Sequence, residues 1–503
     1  MQEITPRKTR KTPLLPPDFV RAMLAGHSAL GIAFAALIYV VCLTGTLAVF
    51  LHELQRWEQP VAPVATAPLR PEAVATALEE AYRKAVERKA AHDLFIMGPG
   101  PAQSRFLVSF HDHDTEAHGD WIANETGALV VESHAPWSTF VGDLHMTLHL
   151  PRTFGLFLVG LTGVALLSSL VSGLLSHPRL FKDAFAFRWG GSRRLEQADL
   201  HNRLGVWGLP FHVVVSTTGA LLGLSTLVVG VLALAAYDGD SEKAFATILG
   251  PHASEDETAA PLPDIAAMIR TIQAERPEAE FATANVQHIA KAGQVVHLGM
   301  RTPGHIALAN NYYFDGTGKR LGDGGLETGS IGQQILGALQ PLHFGWFGGF
   351  AVKIVYGILG LAITVVTQSG VAIWLARRRD NGRAAPHWEK IWAAVTWGQP
   401  LAIAAAALVI FSGYEAAALA AYLITTVATL AAAPFMAEAR GVARTLRTLS
   451  GLAALAAVAL HATASFAQAT DPMFARVAAS LALGGALLVA PVIAPLLRRR
   501  APK

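Results

Sequence analysis

Charged residues are scarce in this chain of 503 residues. Asp, Glu, Lys and Arg make up 15% of it, and 52% is hydrophobic, whereas soluble proteins have about 25% charged residues. The scarcity excludes an ordinary soluble domain and indicates a membrane protein. The formal net charge is only +3, which argues against a nucleic-acid partner.

Cysteine is nearly absent, because Cys42 is the single one and lies in an apolar run. A disulfide within the chain is therefore excluded. The C-x-x-C and C-x-x-C-H patterns are also missing, which excludes thiolate metal sites and covalent attachment of haem. Any haem would be held non-covalently.

Nucleotide-binding signatures are missing as well. Residues 322–325 (Gly-Asp-Gly-Gly) form a glycine-rich turn, but no strand–turn–helix unit surrounds it, so we reject nucleotide binding there. The sequence contains no Walker motif, flavin fingerprint or catalytic triad. The chain therefore has no visible hydride-accepting site of its own.

Long apolar runs are abundant, and a membrane helix needs about 20 mostly apolar residues. We predict eight spans, or seven if the short run at 398–412 is not one. The basic residues before the first run and its length indicate an uncleaved anchor rather than a signal peptide. The predicted spans are about 27–51, 153–176, 204–236, 348–375, 398–412, 416–435, 449–468 and 475–496.

Basic residues cluster on one side of these spans if the spans alternate in direction. The positive-inside rule makes that side cytoplasmic, with both termini there. We therefore expect a multi-pass protein of the bacterial inner membrane. The clusters are Arg7, Lys8, Arg10 and Lys11; the 177–203 loop; Arg377, Arg378, Arg379 and Arg383; Arg440, Arg444 and Arg447; and Arg498, Arg499 and Arg500.

The predicted fold is a mainly α, polytopic membrane helical bundle with two small α+β periplasmic modules. Each module reads as one helix followed by a short antiparallel meander. The predicted segments are a basic tail 1–21, span 1 at 22–52, module 1 at 53–144, span 2 at 145–176, a cytoplasmic loop 177–203, span 3 at 204–236, module 2 at 237–342, span 4 at 343–376, a linker 377–397, a four-span extension 398–497 and a tail 498–503.

The first and third spans share the pattern H-x3-G-x12-T-G. It begins at His27 in one and at His201 in the other. The second and fourth spans correspond more loosely, from Leu-His at 144–145 and 342–343 to Ser-Gly at 172–173 and 369–370. This spacing predicts a duplicated helix–domain–helix unit in parallel orientation.

Histidines cluster at two depths of the predicted spans, where such residues are costly and usually functional. His27 and His201 lie at the cytoplasmic ends of spans 1 and 3. His145, His149 and His343 lie at the outer ends of spans 2 and 4. His212 follows His201 by eleven residues, about 16 Å along one face of a straight helix.

Two facing imidazoles can hold a b-type haem, so pairs at both depths predict two haem b groups. The six candidate ligands of the haem iron are His27, His145, His149, His201, His212 and His343. For the outer pair, His343 is joined by either His145 or His149. For the inner pair we favour His27 with His201, although His212 could replace either of them.

The chain resembles the PepSY-associated transmembrane family over roughly residues 20–380. The resemblance is carried by Arg21-x5-His27-x3-Gly31 with Thr44-Gly45, and by Leu200-His201-x3-Gly205 with Thr218-Gly219. The stretches 121–131 and 312–321, with turns at Gly127 and Gly318, resemble PepSY strands. The helical extension after about 390 departs from the minimal four-span members.

The resemblance implies an iron-regulated membrane protein or a ferric-siderophore reductase. Such reductases are thought to hold two b-type haems and to reduce ferric iron on the periplasmic side. Electrons would come from a quinol or a cytoplasmic reductase, and the substrate would be a ferric siderophore or another ferric chelate. The alternative is a non-redox membrane protein that binds peptides or a protease, or has a regulatory role. Its histidines would then be structural. A permease for an iron chelate has weaker support.

Overall fold

The computed structural model describes residues 15–101, 103–112, 117–177, 185 and 193–500. The predicted basic tail up to residue 14, most of the predicted 177–203 loop and the last three residues lie outside the described residues. The helices are α1 Pro17–Ala33, α2 Ala35–Ala48, α3 Leu51–Glu58, α4 Pro71–Glu87, α5 Pro136–Met146, α6 Arg152–Ser176, α7 Arg193–Trp207, α8 Leu209–Gly223, α9 Ser225–Ala236, α10 Ser241–Leu249, α11 Ile265–Glu275, α12 Ile331–Phe344, α13 Gly349–Asp380, α14 Pro386–Phe411, α15 Ala418–Ala432, α16 Ala439–Ser465 and α17 Met473–Arg500.

Several of these helices are suited to a membrane. Among the described residues, six helices are long and apolar enough to cross it, and the number rises to eight if each of two bent pairs is one span. The six are α6, α13, α14, the 415–435 segment containing α15, α16 with its last turn to residue 468, and α17. The chain is thus a multi-pass membrane protein.

The predicted single spans 22–52 and 204–236 are not straight helices. The first bends by 68° between α1 and α2, and the third bends by 70° between α7 and α8. Pro210 in the first turn of α8 explains the second bend, because proline cannot continue the hydrogen bonding of a preceding helix. Nothing in the sequence explains the bend at Phe34.

Short helices precede the second and fourth spans. α5 leads into α6, and α12 leads into α13, through tight turns with positive φ at His149 and Gly345. His145 and His343 lie on these short helices rather than in the spans themselves. The sequence predicted them at the outer ends of spans 2 and 4, and the structure instead places each on the short helix that precedes the span.

The sequence repeat appears as a repeat in helix packing. α1 packs on α6 as α7 packs on α13, and α2 packs on α5 as α8 packs on α12. The two copies meet where α6 contacts α8 and where α2 contacts α13. Gly160 of α6 and Gly223 of α8 are so close that a Cβ on Gly223 would lie 2.6 Å from the Gly160 Cα, as small residues permit between membrane helices.

The two predicted modules form one continuous sheet rather than two separate ones. Its eight antiparallel strands follow the order β4-β3-β2-β1-β5-β6-β7-β8. Strand β1 of the first copy pairs with β5 of the second, with Leu94 opposite Val286. The strands are β1 Asp93–Met97, β2 Phe106–His111, β3 His118–Ala123, β4 Leu129–Glu132, β5 Glu280–Gln287, β6 Val295–Arg301, β7 Asn310–Asp315 and β8 Arg320–Asp323.

Helices α4 and α11 cover one face of this sheet. Alternation along β2 turns Phe106, Val108 and Phe110 inward. These side chains share one buried core with Leu78 of α4 and Ile269 of α11. The shared core and the β1–β5 pairing hold the two copies together.

The extension, α14 to α17, packs on the first copy. Trp57, Phe140 and Tyr422 belong to one buried cluster that joins α3, α5 and the extension. At its edge Arg56 forms a bidentate ion pair with Asp471, with Nε to Oδ2 at 2.6 Å and Nη2 to Oδ1 at 2.7 Å. The extension therefore braces the helix that carries His145.

Candidate functional site

Four of the six candidate histidines form two pairs. His27 and His201 have ring centres 6.2 Å apart with planes at 75°. His145 and His343 also have ring centres 6.2 Å apart, with planes at 20°. We call these the first pair and the second pair. Each pair takes one histidine from each copy of the repeat.

The rings of the first pair are oriented by backbone carbonyls. His27 donates from Nδ1 to the Ser169 carbonyl at 2.8 Å, and His201 donates from Nδ1 to the Val366 carbonyl at 2.9 Å. A carbonyl can only accept, so Nδ1 carries the proton and the Nε2 lone pair is available. This is the tautomer of a metal-binding imidazole whose other nitrogen is fixed by the protein.

The second pair is held in the same way. His145 donates from Nδ1 to the Val41 carbonyl at 3.0 Å. His343 Nδ1 lies 3.0 Å from the Thr218 hydroxyl, which itself donates to the Val214 carbonyl at 2.7 Å. The Thr218 oxygen therefore accepts from His343, and Nε2 is again the unprotonated nitrogen.

Each of the four rings packs against a glycine of the opposite helix. A Cβ on the glycine would lie 2.7 Å from His145 Cε1 at Gly45, 2.9 Å from His343 at Gly219, 3.0 Å from His27 at Gly173 and 3.2 Å from His201 at Gly370. These are the glycines of the Thr-Gly and Ser-Gly pairs in the repeat. The sequence repeat identified those residue pairs but did not predict that the histidine rings pack against their glycines.

The ring spacing fits two imidazoles on one metal ion. A metal–imidazole nitrogen bond is about 2.0 Å, so two rings on opposite sides of one ion have centres roughly 6 Å apart once the ring radii are added. Both pairs measure 6.2 Å. Each ring can turn about its metal–nitrogen bond, so parallel and crossed planes are both compatible.

The two pairs lie at different levels of the bundle. On α6, Gly173 contacts His27 and Gly163 contacts Ala220, the neighbour of the Gly219 that seats His343. On α13, Gly370 contacts His201 and Gly360 contacts Thr46, the neighbour of the Gly45 that seats His145. Each helix spans ten residues between levels, about 15 Å.

A cavity of about 370 Å³ surrounds the first pair. Its walls are mostly apolar, with Leu166, Leu170 and Val371 among them, and both histidines line it. Gly31 and Gly205, one helical turn after His27 and His201, also line it. Cavities of this size and polarity are typical of cofactor sites.

His149 and His212 join neither pair. His149 lies in the turn after α5, where Nε2 is 3.0 Å from the Phe140 carbonyl and its ring packs on Phe140. His212 is fully buried, and neither ring nitrogen makes a hydrogen bond of normal geometry within the described part of the chain. The bend before α8 breaks the straight helix on which His201 and His212 were expected to share a face.

Aromatic side chains continue from the second pair toward the sheet. Phe344 lies 5.1 Å from the His343 ring centre, and Trp346 stacks on Phe344 at 4.5 Å. Trp346 lines a cavity of about 410 Å³ beneath the sheet, together with Arg301 and His305. Sequence reasoning missed this cavity, because its walls come from the loop after β1, from β5 and β6, from the loop after β6 and from the α12–α13 turn.

Among the described residues, no cluster of three or more His, Cys, Asp or Glu side chains could hold a metal ion. The two histidine pairs therefore differ from a closed structural metal site, which takes about four protein ligands. A pair of imidazoles suits a metal whose other ligands come from elsewhere. A porphyrin supplies those ligands to its iron.

Comparison with known proteins places the chain in a family. The model of the PepSY-associated TM region matches residues 24–377, which contain both histidine pairs and the whole sheet. The chain is also similar to "Uncharacterized protein PA4219" of Pseudomonas aeruginosa, with 30% identity over 250 residues. That alignment covers 47% of this chain and 64% of the relative. The chain thus belongs to the PepSY-associated TM region family.

Proposed function

We propose that this protein is a di-haem b-type transmembrane electron-transfer protein that reduces ferric iron in a siderophore or another chelate. In this proposal it lies in the bacterial inner membrane with both termini in the cytoplasm. The sheet faces the periplasm, where the ferric chelate is reduced with electrons from the cytoplasmic side. The observation that carries the proposal is the pair of two-histidine sites with equal ring spacing.

The residues fit a haem at each pair. Ring spacing alone also suits an ordinary aromatic contact between two histidines. Fixed Nδ1 protons, available Nε2 atoms and a glycine behind all four rings favour ligation over such a contact. His27 and His201 would hold one haem, and His145 and His343 the other. Bound haem would supply one-electron redox chemistry.

The arrangement supports transfer across the bilayer. The first pair lies toward the end of the bundle where α1 begins and α13 ends. Arg377 and Arg378 lie at this end, in the last turn of α13. The second pair lies toward the sheet. The α6 and α13 helices separate the levels by about 15 Å, so two cofactors there would cover much of the roughly 30 Å apolar thickness.

The cavity beneath the sheet is our candidate for the ferric chelate. His305 and Arg301, which already pairs with Glu280 on the same wall, offer donors to a chelate. Trp346 provides an aromatic wall connected through Phe344 to His343. Hard oxygen ligands favour Fe(III) over the softer Fe(II), so reduction would weaken the complex and release iron.

The test is a spectrum of the purified full-length protein expressed with ample haem. We expect a b-type reduced-minus-oxidised spectrum and two haems per chain in a pyridine haemochrome assay. His27→Ala and His343→Ala should each lose one haem, whereas His461→Ala, whose ring bonds the Trp57 carbonyl and belongs to neither pair, should retain both. A protein without His-dependent haem would favour the non-redox binding or regulatory alternative.

A further inference from the structure

An arginine-lined cavity of about 410 Å³ adjoins the cavity of the first pair. Arg21, Arg377, Arg378 and Arg383 line it, and no acidic residue among those that the structure describes does. Leu24, Ser28, Trp374 and Arg377 line both cavities. The apolar space around His27 and His201 therefore opens directly onto a cluster of guanidinium groups.

Among the described residues, only one of these guanidinium groups has a carboxylate partner. Arg21 pairs with the exposed Asp18. Among the described residues, Arg377, Arg378 and Arg383 form no ion pair. The Arg378 Nε is buried without a hydrogen-bond partner, while its guanidinium lies over Trp374 at 5.1 Å. An unsatisfied buried donor on a charged group is costly, and a bound anion would remove that cost.

We propose that this cavity binds the two propionate carboxylates of the haem held by the first pair. The inference rests on the proposed function. Arg21 precedes His27 by six residues, about 9 Å of helix, and Arg377 follows Gly370, the seat of His201, by seven residues, about 10 Å. Those spans bring guanidinium groups to one edge of the space between the two rings, and guanidinium forks bind carboxylates in bidentate fashion.

Other anions explain less of the structure. A lipid phosphate or an acidic soluble electron donor could contact the exposed Arg21, Arg377 and Arg383. Neither would account for the buried Nε of Arg378 or for the residues that line both cavities. Positive charge at this end also serves orientation in the membrane, but orientation requires no shared cavity. Arg379 provides the comparison, because it pairs with Glu389 at 2.8 Å and lines neither cavity.

The experiment compares haem b with its dimethyl ester, in which both carboxylates are methylated. Full-length protein carrying His343→Ala, which isolates the first pair, is prepared without haem and titrated with each compound by Soret absorbance. We expect the free acid to bind roughly 10- to 100-fold more tightly than the ester. Arg377→Gln with Arg378→Gln should abolish that preference, and Arg379→Gln should leave it intact.

The preference is the ratio of the affinities for the free acid and the ester, both measured on the same variant. A general loss of folded protein therefore does not change it. An unchanged preference in the double variant, or no preference in the His343→Ala parent, would overturn the inference. The titration is repeated in phosphatidylcholine discs with and without phosphatidylglycerol. If the double variant loses only the dependence on phosphatidylglycerol and keeps its preference for the free acid, the cavity binds a lipid anion rather than the propionates. If no His-dependent haem binds at all, the proposed function itself fails.

Discussion

His145 packs against Gly45 so closely that any Cβ there would meet its ring at 2.7 Å. The equivalent contact in the other copy joins His343 to Gly219 at 2.9 Å. Both glycines follow a threonine whose hydroxyl lies toward the same ring, at 3.5 Å for Thr44 and 3.0 Å for Thr218. The Thr-Gly pair therefore forms the surface against which a histidine ring packs, and it occurs once in each copy.

Gly45→Ala is expected to displace His145 and to weaken only the haem of the second pair. Overpacking costs about 1–3 kcal/mol, so the affinity of that haem should fall roughly 5- to 150-fold. Gly173→Ala should weaken only the haem of the first pair. Haem titration of each variant checks the assignment. Gly230→Ala and Gly484→Ala, where a Cβ meets no atom of the described residues within 4 Å, are the matched controls.

Gly31→Leu and Gly205→Leu are expected to separate protein stability from haem binding. A Cβ at either position meets no described atom within 4 Å, yet both glycines line the cavity of the first pair. Leucine favours helix over glycine by roughly 0.5–1 kcal/mol, so the haem-free protein should be as stable or more stable. The side chain would fill the space between the rings, and haem of the first pair should be lost. Retention of the wild-type haem content in both variants would contradict the expected occupancy of that cavity.

The repeat and the histidine clusters could be predicted because they are local patterns. H-x3-G-x12-T-G fixes the distance between a ring and a glycine along each copy, and the same order in both copies marks equivalent depths. The pairing of His27 with His201 and of His145 with His343 also depends on how the copies pack. Sequence favoured the first pair, and for His343 it left His145 and His149 equally open.

The sheet could not be predicted in full, because strand pairing between distant segments leaves no local pattern. The first loop contains β1, a strand that we did not predict, and its pairing with β5 merges the two expected modules. The bend before α8 was similarly hidden, since the eleven-residue spacing of His201 and His212 places them on one face only if the helix is straight. Arg56 and Asp471 are 415 residues apart, beyond any periodicity argument.

Asp471→Asn is expected to loosen the extension from the first copy. The Asp471 side chain is 1% exposed and forms the bidentate pair with Arg56, so removing the charge should cost roughly 3 kcal/mol of unfolding free energy. Thermal unfolding can be followed through the reactivity of the single Cys42 with a fluorogenic maleimide. Asp380→Asn breaks the exposed Arg194–Asp380 pair and should cost less than about 1 kcal/mol.

The same pair should make stability depend on acidity. Burial opposes ionisation of Asp471, but hydrogen bonds from Arg56 and the Met473 N–H keep its pKa below the ordinary value. A lowered pKa in the folded state means that the stabilisation is present above the unfolded pKa and is lost as the pH falls through the folded one. Wild type should therefore lose more stability on acidification than Asp471→Asn, and equal losses would exclude a stabilising role for the pair.

Glu58 is expected to make the redox potential of the second pair depend on pH. Burial raises the pKa of Glu58 to about 7, against hydrogen bonds from the Ser138 hydroxyl and from the Trp137 and Ser138 N–H groups. Trp137 and Ser138 lie in the first turn of α5, and His145 lies about 11 Å further along that helix. Ionisation adds a negative charge that favours the ferric state, so the midpoint potential should fall as the pH rises through about 7.

The expected shift is small and is best resolved by comparison with Glu58→Gln. A charge at that distance acts with roughly 1 kcal/mol, on the order of 50 mV for one electron. Glutamine retains the hydrogen-bond acceptor for α5 but cannot ionise, so its potential should vary less with pH near neutrality. The haem of the first pair lies at the other level and should respond the same way in both proteins. Equal pH profiles for the second pair in wild type and variant would show that Glu58 does not control its potential.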